Sequence, residues 1–240
     1  MLFKRSLRPR ATEPWMADVL RLLLPTREGL FVDVGVNLGQ TLIKVKDLEP
    51  DRAYLGFEPN PACVASTDRM IGALRLRNCR IIPAGLSTET GIVELAMISD
   101  SETAPDGSII RGFRSNEQVV GRKNVVVLRF DDLPPDLFAQ QVAFLKIDVE
   151  GAELEVLQTL TPMIDRDRPI VLIEVLPCYS ADKTERASRQ EKTETLLHER
   201  GYRLKRVLKR DNRLQELTPL DHIGIHGDLT MCDYVAEPLA

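Results

Sequence analysis

The sequence has little cysteine, no long apolar run and no strong excess of charge of either sign. Its four cysteines, Cys63, Cys79, Cys178 and Cys232, are far apart and form no C-x-x-C pair. That spacing excludes a zinc ribbon and a compact disulfide framework, and it reads as reduced thiols in a cytoplasmic protein. No apolar stretch approaches the roughly 18–20 residues that span a bilayer. Residues 1–10 carry Lys4, Arg5, Arg8 and Arg10 without the apolar centre of a secretory signal, and read as a solvated terminus. A net charge of −4 makes no general case for a nucleic-acid partner. His222 and His226 are four apart, but Ile223-Gly224-Ile225 between them alternates like a strand or loop. Four-residue spacing aligns ligands only on a helix, so no metal site is expected. No internal repeat, low-complexity segment or interdomain linker is visible.

What is present begins with Phe31-Val32-Asp33-Val34-Gly35-Val36-Asn37-Leu38-Gly39-Gln40-Thr41. A short apolar run meets an acidic residue and then a glycine-spaced turn into a helix. Gly35 and Gly39 let the backbone turn sharply and approach a ligand, and unpaired N–H groups at the helix start favour an electron-rich group. A second apolar run, residues 53–57, ends in Glu58. A carboxylate at the tip of the second strand of a doubly wound sheet can accept hydrogen bonds from ribose hydroxyls. A dinucleotide fingerprint wants glycine at the first, third and sixth positions of the turn, and here those are Gly35, Asn37 and Gln40. The glycine that admits a pyrophosphate is missing, while Asp33 suits a ligand with a positively charged amine. The pattern predicts S-adenosylmethionine over a nicotinamide or flavin dinucleotide.

Residues 144–153 form a second constellation, a buried strand with Asp148 and Glu150 at its carboxyl end. Ligands of open α/β sheets sit just beyond such ends. Strand alternation would put both carboxylates on one side, one for the cofactor and one for the substrate. Glu153 reads as a charge paired with a helix dipole. Glu174, at the end of the next strand, is a weaker candidate base. A divalent ion held by these carboxylates would suit oxygen ligands, but no independent ligand set is evident.

The 240 residues, 43% of them hydrophobic, suffice for one sizeable α/β domain. The expected order is a tail over 1–13, then one domain over 14–240. That domain opens with a helix to about 24, followed by strands near 30–34, 53–57, 79–83, 92–98, 125–130, 142–147, 169–176, 202–208 and 231–236. Helices are expected at 39–48, 61–75, 152–161 and 179–200. Alternating strands and helices argue for a mostly parallel sheet with an antiparallel strand near the end. The polar stretch 99–124 is too long for an ordinary connection and reads as an inserted segment, either a functional loop that shapes acceptor selection or a partly ordered, exposed hairpin without a role.

Together "FVDVGVNLGQT", "FEPNP", "IDVEGAELEVL" and "IVLIEV" resemble the FkbM-type methyltransferases over residues 30–176. The resemblance implies a Rossmann-like class I methyltransferase fold, with a seven-stranded sheet and helices on both faces. It implies S-adenosylmethionine-dependent O-methylation of a hydroxyl on a small molecule, sugar (glycan) or natural product. Carried over, Asp33, Gly35, Asn37 and Gly39 would hold the methionine end of the cofactor, Glu58 the ribose, and Leu86 and Ser87 the adenine side. Asp148 would lie near the methionine end, with Asp148 or Glu150 as base or acceptor-orienting group. Two departures stand out, Gly85 where many relatives have alanine before Leu-Ser and Leu128-Arg129-Phe130-Asp131 where a threonine-leucine pair before the aspartate is common. The alternatives are an NAD-dependent oxidoreductase and a non-catalytic cofactor-binding module.

Overall fold

The computed structural model describes residues 12–98, 107–110, 119–180 and 184–239. The chain opens with α1 (Pro14–Leu23), β1 (Leu30–Val34), α2 (Gln40–Leu48), β2 (Tyr54–Phe57), α3 (Pro61–Leu74) and β3 (Cys79–Ile82). After an excursion through β4 (Gly85–Leu86), β5 (Gly91–Met97) and β6 (Gly121–Leu128) come β7 (Val142–Ile147), α4 (Glu153–Thr159), α5 (Thr161–Asp167) and β8 (Ile170–Glu174). The remainder is α6 (Thr184–Glu199), β9 (Tyr202–Arg210), β10 (Arg213–Leu220) and β11 (Asp233–Pro238). The main sheet has the order β10-β9-β11-β8-β7-β1-β2-β3. Strands β8, β7, β1, β2 and β3 are parallel neighbours, and β11 runs antiparallel to both β8 and β9.

The continuous apolar runs follow from burial on both faces of this sheet. Every residue of β1 and β7 is buried. Alternate residues serve opposite layers. Phe31, Tyr54 and Phe144 pack with Trp15, Val19 and Leu20 of α1 and Leu42 and Val45 of α2. Val32, Val34, Leu145 and Ile147 pack with Leu157 of α4, Ile164 of α5 and Leu197 of α6. Helices therefore cover both faces, as the motifs implied. Deleting a side chain such as Leu145 from this layer would cost about 2–5 kcal/mol. Among the described residues no helix is long and apolar enough to cross a membrane.

Several boundaries depart from expectation. Among the described residues the main sheet has eight strands, not seven, because β9 turns back through Asp211 and Asn212 into β10. Both turn residues have positive φ (51° and 57°), the geometry of a tight hairpin. The helix expected over 152–161 divides at Leu160, where Pro162 sits in the first turn of α5 and supplies no N–H. The strands expected near 92–98 and 125–130 exist as β5 and β6, but they leave the main sheet and join β4 in a separate three-stranded sheet. β6 starts at Gly121, inside the stretch read as a loop. Residues 99–106 and 111–118 of that stretch lie outside the described residues, as do residues 1–11 of the expected tail. The described part, 107–110, runs beside β5 through an Ala96–Ser108 bridge.

Candidate active site

The carboxyl ends of β1, β2 and β7 meet at a cavity of about 380 Å³. Gly35 follows β1 with φ 89°, and a Cβ there would lie 1.8 Å from the carbonyl oxygen of Asp148. Only glycine lets the two loops approach so closely. Asn37 also adopts a left-handed conformation, φ 51°. Its N–H donates to Glu58 Oε2 at 2.8 Å, and its carbonyl accepts from Thr67 Oγ1 at 3.0 Å. Glu58 Oε1 accepts from the Asn60 N–H at 2.8 Å. The Glu58 carboxylate is thus fixed at the end of β2, 7% exposed. Burial raises its pKa against the lowering effect of those two amides.

Asp33, Gly39 and Ser87 are not on the cavity wall, whereas Gly35, Asn37, Glu58, Leu86, Asp148 and Glu150 are. Asp33 is fully buried inside β1. Its Oδ1 lies 3.2 Å from Lys146 Nζ, and the Tyr54 hydroxyl donates to its Oδ2. Burial raises the Asp33 pKa, opposed mainly by the Lys146 charge. The carboxylate faces these partners and not the cavity because a side chain within a doubly covered strand enters a packed layer. Gly39, φ 81°, precedes α2, and a Cβ there would sit 2.4 Å from Met70 Cε of α3. Met70 Cε is the end of a flexible side chain, so it is the positive φ that favours glycine here. Ser87 donates its N–H to the Leu128 carbonyl at 3.0 Å, tying β4 to β6.

Beyond β7, the Asp148 N–H donates to the Val34 carbonyl at 3.0 Å. Strand geometry then stops. Glu150 (φ 55°) and Gly151 (φ 111°) form a left-handed turn, so this turn, and not alternation, sets the two carboxylates. Ser108 Oγ donates to the Glu150 carbonyl at 2.7 Å, joining residues 107–110 to the turn. Glu153 Oε1 accepts the Gly151 N–H at 2.8 Å. Burial pushes the Glu153 carboxyl up to about 7. Burial, with the charges of Asp148, Asp233 and Glu150, pushes Glu174 up to about 10. Its Oε1 accepts from Cys232 Sγ at 3.4 Å.

Asp148, Glu150 and Glu174 each bring an oxygen within 4.8 Å of the other two. Oxygens so grouped could hold a hard divalent cation. The wall also holds residues that sequence reasoning missed. Glu13, assigned to the tail, reaches the cavity from ahead of α1, and Leu95, Met97 and Ile109 form an apolar wall with the second sheet. Lys146 was also passed over. A lysine inside an apolar strand is itself a signal, since a buried lysine requires partners.

Residues 33–204 match the methyltransferase FkbM domain. The chain belongs to the FkbM methyltransferase family. Methyltransferase sdnD of Sordaria araneosa is 29% identical over a 152-residue alignment that covers 53% of this chain and 58% of sdnD. The match thus spans a little over half of that relative's length. The FkbM methyltransferase of Methylobacillus flagellatus KT superposes with a TM-score of 0.53 at 15% identity, covering 88% of this chain and 43% of that one. Cofactor-bound Rv0187 from MTB gives a TM-score of 0.54 at 10% identity, covering 95% and 82%. These two similarities speak to the fold. The class I fold and the S-adenosylmethionine-dependent methyltransferase class expected from the motifs are borne out, and the NAD-dependent alternative falls away.

The cavity itself fits that cofactor. S-adenosylmethionine carries a sulfonium and an ammonium and no phosphate. The wall offers the carboxylates Glu58, Asp148 and Glu150, while its lysine, Lys146, is taken up by Asp33 and Asp148.

Proposed function

We propose that this FkbM-family chain transfers the methyl group of S-adenosylmethionine to a hydroxyl oxygen of a small-molecule acceptor, a sugar or natural product. The supporting observation is the meeting of a ribose-type carboxylate, Glu58, with Asp148 and Glu150 in one cavity. When bound, the cofactor supplies an electrophilic methyl on a positively charged sulfur. Glu58 accepts from the ribose hydroxyls, using oxygens already oriented by the Asn37 and Asn60 amides. Leu86 gives the adenine an apolar surface, and Ser87 holds that segment through its backbone. Gly35 and Asn37 shape the turn around the methionine end, with Asp148 beside it, while Gly39 and Asp33 support them from behind.

In-line transfer requires the acceptor oxygen to be aligned with the methyl group and shielded from water. An alcohol must also lose its proton, so a carboxylate within reach assists. Glu150 takes that role, orienting the hydroxyl and accepting its proton. Glu174, protonated near neutral pH by its burial and acidic neighbours, serves as a hydrogen-bond donor and not as the base. Leu95, Met97 and Ile109 exclude water and offer an apolar face to the acceptor, and the remainder of the 99–124 segment selects among acceptors.

The test is a mass-spectrometric screen of hydroxylated sugars and natural products with S-adenosylmethionine. Each hit is repeated on an analogue whose hydroxyl is blocked. A methyl gain lost on blocking is the expected result. Methylation that persists on blocked analogues, at nitrogen or carbon, would sink the oxygen assignment. Binding of S-adenosylhomocysteine without any transfer would favour a non-catalytic module.

A further inference from the structure

Lys146 is 4% exposed within β7. Its Nζ donates to the Gly35 carbonyl at 2.9 Å and lies 3.2 Å from Asp33 Oδ1 and 3.3 Å from Asp148 Oδ2. An ammonium has three N–H donors; the Gly35 carbonyl takes one, and the Asp33 and Asp148 carboxylates flank the charge as ion-pair partners. Burying such a charge is costly unless it is paired and hydrogen-bonded. Asp33, wholly buried and also held by Tyr54, supplies the pairing. Burial alone would push the Lys146 ammonium down, but Asp148 and Asp33 outweigh it and hold it above its ordinary value.

The two carboxylates are not equivalent. Asp33 is fully enclosed, whereas the Asp148 side chain is 34% exposed and on the cavity wall. Lys146 therefore joins a buried anchor to two groups at the cavity, the Asp148 carboxylate and the Gly35 carbonyl. If only packing were needed between β1 and β7, apolar side chains of similar volume would serve as well or better.

We propose that Asp33 and Lys146 form a positioning pair, in which Asp33 anchors Lys146 and Lys146 sets the Asp148 carboxylate and the Gly35 loop to receive the amino-acid end of the cofactor. Lys146 takes Asp148 Oδ2, leaving Oδ1 for the ligand ammonium. Asp33, expected from the sequence to meet that ammonium, acts on it through Lys146 and Asp148. The inference rests on the S-adenosylmethionine reading of the cavity.

Lys146→Met alone would strand Asp33 as a buried unpaired charge and destabilise the strand. The informative variant is Asp33→Asn with Lys146→Met, which removes one charge of each sign and preserves the cluster's net charge. It is compared with Asp33→Asn alone, which keeps Lys146. Calorimetry with S-adenosylhomocysteine and with 5′-methylthioadenosine separates the two ends of the ligand, because the second probe lacks the amino-acid end. Thermal unfolding checks that both variants are folded. Relative to Asp33→Asn, the double variant should bind S-adenosylhomocysteine about 10- to 100-fold more weakly, the scale of a charge-assisted contact. Its affinity for methylthioadenosine should hold within about twofold, a selectivity that general loosening of the fold would not produce. Equal losses for both probes, or no loss for either, overturn the proposal. A wild-type protein that binds neither probe overturns the cofactor reading, and this inference with it.

Discussion

Replacing Glu58 by glutamine is a perturbation whose consequences can be worked out atom by atom. The native carboxylate accepts two backbone N–H groups, from Asn37 to Oε2 and from Asn60 to Oε1, both at 2.8 Å. Glutamine keeps one acceptor oxygen but turns the other into an NH₂ donor. With the oxygen on Asn60, the new NH₂ faces the Asn37 N–H, and two donors oppose each other at the tip of the β1 turn. The negative charge that strengthens ribose hydrogen bonds is lost at the same time. A hydrogen bond to a charged group is worth about 1.5–3 kcal/mol, so S-adenosylhomocysteine should bind about 10- to 150-fold more weakly. Leaving the Asn37 amide without an acceptor adds about 1–3 kcal/mol of lost stability where water does not replace it. Calorimetry reads the first effect and thermal unfolding the second. Unchanged affinity in a variant with lowered thermal stability would make Glu58 a purely structural cap of the two loops and refute its ribose role.

Gly35→Ala should destabilise the fold by about 2–4 kcal/mol, read by denaturant unfolding, because it combines strained backbone with a side chain inside the Asp148 carbonyl; wild-type stability would show that the loops can separate freely. Glu150→Gln should lower turnover by about 10²–10⁴-fold while S-adenosylhomocysteine affinity is retained, and full turnover would leave Glu150 as a turn residue only. Glu153 has a folded pKa pushed up to about 7 from a reference of 4.5, so its favourable contribution is complete below pH 4.5 and is lost as pH rises through 7. Glu153→Gln should thus be more stable than wild type at pH 8 by up to about 3 kcal/mol, with the gap closing below pH 4.5; stability curves that run parallel across that window would contradict the assignment.

The parts of the site that lie on contiguous residues were legible in the sequence. The turn from Gly35 to Asn37 and the strand ending in Glu58 are local patterns, and the structure brings them to one cavity with Asp148 and Glu150. The parts that depend on which way a side chain points were not. Asp33 and Gly35 are two residues apart in the motif, yet one is sealed between layers and the other lines the cavity. Lys146 was hidden because its partners are 113 residues upstream and two residues downstream, joined only by the β1–β7 register that pairs Asp33 with Lys146. The apolar runs of β5 and β6 announced strands, but periodicity carries no information on which sheet a strand joins, so the apolar wall of Leu95, Met97 and Ile109 was missed. β10 escaped because an edge strand reading Arg-Leu-Gln-Glu-Leu-Thr-Pro-Leu has little of the apolar character of a central one.

The central claim is that the cavity at the ends of β1, β2 and β7 is where this FkbM-family chain holds its cofactor and performs transfer. A crystal structure with S-adenosylhomocysteine tests it most directly. The account predicts ribose hydroxyls within hydrogen-bond distance of Glu58, the amino-acid end beside Gly35 and Asp148, and the sulfur facing Glu150. A ligand seated elsewhere, or in this cavity with its ribose turned away from Glu58, would contradict it.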